Sequence, residues 1–280
     1  MNSSVEDIMR DGYKLWRKNL ILCIPFLCNF LVTVLLSVIL FLLIIFAIFQ
    51  GRELSSILLI IFVVLIIGII TYLLSNSFFT AGAIGMAKEI LMKGNTNLQD
   101  MLLYGKKKFL KLFFFNLILM LLGIPAIAFL FIRGFTGINL TYLYLFAVSI
   151  LFTPILYTIV ISDTNVSDGI KKGFKFIKEN KLSFLLLFFF NKFIETISTI
   201  AVLILAFIFF IAILAFTLPS IPLSYEAIIM NLNAIRSSLI FGALIAFIFL
   251  FILYVLISIF VVSPLTNLWF AKLYSERTKI

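Results

Sequence analysis

Six long apolar segments dominate this chain, and they restrict the folds that are open to it. They cover residues 20–49, 55–86, 109–132, 140–161, 183–217 and 238–270. A helix needs about 20 apolar residues to cross the hydrocarbon core of a bilayer. Because every backbone amide inside lipid must be paired within the protein, such segments become helices. The sequence therefore predicts an all-α integral membrane protein with six transmembrane helices.

Composition supports the membrane class and argues against catalysis. The chain is 64% hydrophobic and 12% charged, whereas soluble domains carry about 25% charged residues. It contains no histidine, which is the usual proton shuttle and the commonest metal ligand. We find no acid cluster, no nucleophile elbow and no phosphate-binding glycine loop. The sequence predicts a protein that is not an enzyme and has no metal or cofactor.

The basic residues lie mainly on one side of the predicted bundle. Of 22 Lys and Arg residues, all but four fall at the two termini or in the loops after the second and fourth spans. The exceptions are Arg52, Arg133, Lys192 and Arg236. Basic loops stay in the cytoplasm, so we expect a multi-pass protein of the cell (plasma) membrane with both termini cytoplasmic. This topology accounts for the basic loops, so no nucleic-acid partner is expected.

One short segment occurs three times, at residues 5–18, 98–111 and 166–179, which align without gaps. The identical columns are Asp7, Asp100 and Asp168, then Gly12, Gly105 and Gly173, then Lys14, Lys107 and Lys175. Each copy precedes two spans. Within a single membrane domain, 1–280, this predicts three parallel repeats of an amphipathic interfacial helix plus a transmembrane hairpin, at about 1–93, 94–161 and 162–280.

The repeated segment has the period of an amphipathic helix. Positions 5, 9, 12 and 16 fall on one apolar stripe, and a capping box of Ser4 with Asp7, or of Ser3 with Glu6, starts the helix. Such a helix beside a span lies in the membrane interface. Glycine on its apolar stripe permits a close helix contact or acts as a hinge. The helices either orient the spans or form a cytoplasmic collar for lipids or a protein partner; chance similarity is the third interpretation.

Two sets of candidate residues follow. Those predicted to face lipid headgroups or a partner are Lys14, Trp16, Arg17, Lys18, Lys107, Lys108, Lys111, Lys175 and Lys178. The polar residues predicted inside the membrane are Asn29, Asn191, Lys192 and Glu195. Lys192 and Glu195 have i, i+3 spacing and can pair on one helix face, either as a functional site or near the interface, where the lysine reaches water. Hydrogen bonds between helices explain Asn29 without a ligand.

The segment "DGYKLWRKNLILCIPFL" (11–27), its echo "GIKKGFKFIKENKLSFLLLFF" (169–189) and the six-span layout resemble a broad family. It comprises uncharacterised archaeal and bacterial membrane proteins related to the membrane domain of glycerophosphoryl diester phosphodiesterases. The resemblance implies an all-α membrane module of unassigned function with a link to lipid metabolism. The catalytic residues of the phosphodiesterase barrel have no counterpart in this sequence, so the resemblance implies no phosphodiesterase activity.

Two functional hypotheses follow from the sequence. The first is a non-enzymatic membrane module that organises or binds membrane lipids or partner proteins through basic amphipathic helices on the cytoplasmic face. The alternative is a transporter or channel for a small solute that uses the intramembrane pair of Lys192 and Glu195.

Overall fold

The computed structural model describes residues 3–49, 54–132, 135–217 and 232–278, and every regular element in these ranges is helical. The α-helices are α1 (Val5–Lys18), α2 (Ile24–Phe49), α3 (Leu54–Lys93), α4 (Leu98–Leu130), α5 (Phe135–Ile161), α6 (Val166–Glu179), α7 (Lys181–Thr217), α8 (Leu232–Ile257) and α9 (Ser263–Thr278). A 3₁₀ turn, Leu20–Cys23, leads into α2, and a π-helical segment, Ser258–Val262, joins α8 to α9.

Six helical segments of the described chain are long and apolar enough to cross a membrane, which confirms the all-helical, six-span prediction at this level. They are Leu20–Phe49, Ser55–Lys93, Leu98–Phe129, Thr136–Ile161, Lys181–Leu205 and Ala243–Thr278. Several extend past the apolar sequence because helical structure continues into the polar loops. α3, for example, runs to Lys93 and ends at Gly94, whose φ of +80° suits a helix C-terminus. Arg52 and Arg133, two of the four exceptions to the one-sided distribution of basic residues, lie outside the described residues.

The three aligned segments do not fold alike. α1 and α6 are separate helices that stop at Asn19 and Asn180, whereas residues 98–111 form the opening turns of α4. In each asparagine the side-chain Nδ2 donates to the carbonyl four residues upstream, at 3.0 and 3.1 Å. At Asn19 this bond takes the place of the helical one, because the backbone amide donates to Trp16 instead, whereas at Asn180 the side chain adds to the backbone bond to Phe176. Buried Leu112 occupies the aligned position in α4, and the expected interfacial helix is continuous with the span.

Met1–Phe188 and Ser263–Ile280 form one compact unit, of which residues 3–49, 54–132, 135–188 and 263–278 are described. Within it, the C-terminal half of α3 packs on α4, α5 packs on α6, and α9 packs on α1, α3 and α5. Small residues make the first contact close: a Cβ placed on Gly85 would lie 2.1 Å from Cγ of Tyr104. Lipid is as apolar as the helices, so close packing of this kind drives their association in a membrane. The core of this unit therefore lies at the ends of the spans that carry the basic residues.

Phe189–Val262 forms a second unit, of which residues 189–217 and 232–262 are described. It contains most of α7, all of α8 and the π-helical segment. Phe193, Ile200, Leu203, Phe247 and Ile248 are exposed large apolar side chains of this unit, as expected for helices that contact lipid chains. The two units are defined by contacts between residues and do not test the repeats, which were deduced from sequence similarity. The repeat boundaries therefore stay a prediction.

Candidate functional site

α1 has one buried face and one exposed basic face. Ile8 and Gly12 are buried, and the Trp16 ring is half-buried with its centroid 5.7 Å from that of Tyr13. The exposed face lines an open groove of about 290 Å³ with Tyr13, Lys14, Arg17 and Lys18. The predicted basic residues of α1 are thus accessible, beside an aromatic ring that suits the water–lipid boundary.

The buried face of α1 packs against α9. The indole Nε1 of Trp269 donates to the carbonyl of Met9 at 3.0 Å. The same ring lies so close to Gly12 that a Cβ there would be 2.5 Å from Cδ1 of Trp269. Only glycine leaves room for this contact, so α1 is held in one orientation with its lysines outward.

Two basic residues near the C-terminus also hold α1 through contacts that were not predicted from the sequence. Lys272 Nζ lies 2.7 Å from a carboxylate oxygen of Asp11, and this hydrogen bond holds the pKa of Asp11 below its ordinary value. Arg277 donates to the carbonyl of Ser3 at 3.0 Å. α9 continues helically beyond the apolar residues, and the spacing of three places Trp269 and Lys272 on one side of it.

Each of the three aligned glycines lies against a side chain of another helix. The contacts are Gly12 with Trp269 of α9, Gly105 with Phe78 of α3, and Gly173 with Ile155 of α5. All three glycines are inside regular helices. Close contact, rather than a hinge, therefore explains this aligned column.

The aligned aspartates are explained in part by helix capping. Asp7 and Asp100 each complete a capping box, with Ser4 and Asn97 as the respective N-caps. The hydrogen bonds from Ser4 lower the pKa of Asp7. In α6 the N-cap, Asn165, makes no side-chain capping bond. The predicted capping box of α1 is confirmed for the Ser4 alternative.

Three lysines of α4 converge on one carboxylate. Asp163 follows α5 and has a left-handed backbone with φ of +52°. Lys108 pairs with its Oδ1, Lys111 Nζ lies 3.1 Å from the same oxygen, and Lys107 Nζ lies 3.2 Å from Oδ2. We call these four residues the lysine cluster. It joins α4 to the loop between α5 and α6.

The place of Lys108 differs from the prediction that it faces headgroups or a partner. Its side chain is only 2% exposed, against 62% for Lys107 and 30% for Lys111. A lysine is rarely so buried unless its charge is paired, and Asp163 supplies the pair. Beside the cluster, Lys88 Nζ donates to the carbonyl of Ile161 at 2.9 Å. Sequence reasoning missed Asp163, because its contacts come from residues more than 50 positions away.

α6 also has one face packed and one face basic. Gly169, Gly173 and Phe176 are buried, whereas Lys175 and Lys178 are exposed. Lys175 Nζ lies 3.8 Å from a carboxylate oxygen of Glu179 in the next turn, a contact between exposed groups that contributes little. Both lysines are therefore accessible, as on α1.

Three asparagines within the spans of the first unit donate hydrogen bonds to another helix. Asn29 donates to Asn76 at 3.2 Å, Asn116 to Ser77 at 2.9 Å, and Asn267 to the carbonyl of Ala83 at 2.7 Å. Interhelical hydrogen bonds of this kind stabilise a bundle. The bond from Asn29 fits its predicted structural role.

In the second unit, Lys192 and Glu195 pair as their spacing predicts. Lys192 Nζ lies 2.6 Å from one carboxylate oxygen of Glu195, and Asn191 Nδ2 donates to the other at 3.0 Å. The lysine and glutamate side chains are 41% and 37% exposed. Neighbours on α7 thus satisfy both oxygens of this carboxylate.

Comparison with known proteins provides no further assignment. No protein-family model, no curated protein and no solved structure matches this chain. The resemblance to the membrane domain of glycerophosphoryl diester phosphodiesterases therefore stays a prediction from the sequence.

Proposed function

We propose that the protein is a non-enzymatic membrane module that binds anionic lipid headgroups through basic helices on the cytoplasmic face of the plasma membrane. The exposed lysines of α1 and α6 carry the proposal, because the opposite faces of both helices are buried. Packing thus fixes the direction in which the lysines point. Near an anionic leaflet each lysine contributes about 1 kcal/mol.

The proposal includes three parallel repeats and cytoplasmic termini. The repeats are supported by the glycine contacts that all three aligned segments make and by the caps that two of them share. The cytoplasmic termini are supported by the basic residues at the N-terminus and in α9. A protein partner on the same face is the alternative occupant of this surface.

Lipid selectivity of the reconstituted protein tests the proposal. The full chain is placed in bilayers that contain spin-labelled phosphatidylglycerol or phosphatidylcholine, and the immobilised lipid fraction is measured by electron paramagnetic resonance. We expect a preference for phosphatidylglycerol that falls when Lys14, Lys175 and Lys178 are replaced by Gln. The loss is at most about fivefold in relative affinity for each lysine.

The control is the triple Lys→Arg variant at the same positions, which keeps the charge and should keep the selectivity. If the Gln variant retains the full preference for phosphatidylglycerol, lipid binding by these helices is excluded. A partner protein then becomes the better explanation of the exposed basic face.

A further inference from the structure

We propose that the lysine cluster is a binding site for a phosphate dianion, carried either by a lipid headgroup or by a soluble phosphate compound. The lipid form of this inference rests on the proposed function, whereas the soluble form stands without it. The cluster differs from the exposed lysines of α1 and α6, because its ammonium groups are already gathered at one point.

The charges of the cluster do not balance. Lys107, Lys108 and Lys111 all lie at the single carboxylate of Asp163, and two of them share its Oδ1. Three ammonium groups against one carboxylate leave a net charge near +2. Like charges this close repel each other strongly where water is partly excluded. A phosphate monoester carries about −1.5 to −2 at neutral pH, so its charge matches the excess.

The cluster also has donors and access for an anion. Each ammonium group carries three N–H donors, and its contact with Asp163 occupies one of them. Lys107 and Asp163 are about half exposed or more, whereas Lys108 is buried. The cluster would thus offer a ligand one buried ammonium group and two more exposed ones. Lys88, held on the carbonyl of Ile161, adds a further positive charge at the end of α5.

The competing explanation is an internal ion pair that only fastens α4 to the loop after α5. One lysine opposite Asp163 would be enough for that role. The two explanations differ in the effect of Asp163. In an anion site, Asp163 occupies the position of the ligand and competes with it, so its removal strengthens binding. In a purely structural pair, its removal destabilises the protein and creates no affinity for phosphate.

The first experiment measures binding to the full chain in phosphatidylcholine nanodiscs. Inorganic phosphate is titrated by calorimetry, and in a second arm phosphatidic acid is incorporated and its bound fraction counted by native mass spectrometry. We expect binding in at least one arm, and the arm that binds identifies the source of the phosphate. Replacement of Lys107 and Lys111 by Gln should weaken it by about a hundredfold, roughly tenfold for each lost charged hydrogen bond.

The matched control replaces Lys171 and Lys172, two exposed lysines of α6, by Gln. This variant has the same change of net charge and should bind within about threefold of the unchanged protein. An equal loss in both variants would show a general charge effect and overturn the site. Absence of binding in both arms would overturn it as well.

The second experiment uses Asp163→Asn. We expect inorganic phosphate or phosphatidic acid to raise the thermal unfolding temperature of this variant more than that of the unchanged protein. An equal or smaller rise would support the internal ion pair and overturn the proposal. If the variant does not fold, the lysine variants still decide. Since the lipid-selectivity experiment leaves Lys107, Lys108 and Lys111 intact, failure of the proposed function and failure of this site are separate results.

Discussion

The aligned segment at residues 98–111 folds differently from the other two, at residues 5–18 and 166–179, although the three share one sequence pattern. All three place a glycine against a side chain of another helix. Yet α1 and α6 end at Asn19 and Asn180 and expose their lysines, whereas residues 98–111 continue into a span and direct three of their four lysines to Asp163. The shared columns are therefore largely explained by packing and capping. The lysines are the better guides to binding, because their surroundings differ between the three segments.

The largest expected effect comes from filling the glycine contacts. Gly173→Ala would place a Cβ 2.5 Å from Cγ1 and 3.1 Å from Cα of Ile155, and a backbone atom cannot move aside easily. We expect a loss of about 1–3 kcal/mol in the free energy of unfolding. Gly105→Ala should cost less, because it meets the ring edge of Phe78 at 2.8 Å. Thermal unfolding of the purified protein in detergent measures both.

Gly123→Ala is the control, since within the described chain no atom beyond the adjoining residues and the local helix backbone lies within 4 Å of its Cβ position. There the substitution only favours the helix, by up to about 1 kcal/mol. Opposite signs at Gly173 and Gly123 would establish that the aligned glycines serve close contact. The same sign at both positions would contradict this.

What could be predicted from the sequence is what depends on local spacing. The spans follow from apolar length, the capping box from Ser4 and Asp7, and the pair of Lys192 and Glu195 from their i, i+3 separation. None of these requires knowledge of a distant residue.

The rest depends on residues that are far apart in the chain. Trp269 contacts Met9 across 260 positions, and Lys108 finds Asp163 across 55. The charge of Lys108 resembles that of its exposed neighbours in the sequence, and only the packing of α4 buries it. No pattern within one helix distinguishes these cases, because the spacing of Lys107 and Lys108 does not specify which helix lies beside them.

An intermediate effect is expected where α1 and α6 end. Asn19 donates to the carbonyls of Leu15 and Gly94, whereas Asn180 donates to that of Phe176. Asn19→Leu removes both bonds and should cost about 1–2 kcal/mol, and Asn180→Leu about half as much. Leu is the residue that α4 carries at this position, so each variant imitates the second segment. Equal losses would contradict a role for the second bond.

The Asn19→Leu variant also tests whether Asn19 alone ends α1. Spin labels at positions 14 and 37, with both native cysteines replaced by Ala, report the distance between α1 and α2. A continuous helix would separate these positions by about 35 Å along its axis. We expect Asn19→Leu to keep the distance of the unchanged protein, because Trp269 and Lys272 still hold α1. A shift toward 35 Å would mean that the asparagine dominates over packing.

The smallest expected effect is the loss of stability when the N-cap side chains of α4 and α6 are removed. Asn97 accepts a hydrogen bond from the amide of Asp100, whereas Asn165 makes no side-chain capping bond. Asn97→Ala should therefore lower the free energy of unfolding by about 1 kcal/mol, because an amide at the start of α4 loses its partner. Asn165→Ala should change it by only a few tenths of that amount. Hydrogen exchange of the first-turn amides locates the effect, and equal protection losses in α4 and α6 would show that the aligned segments start by the same mechanism after all.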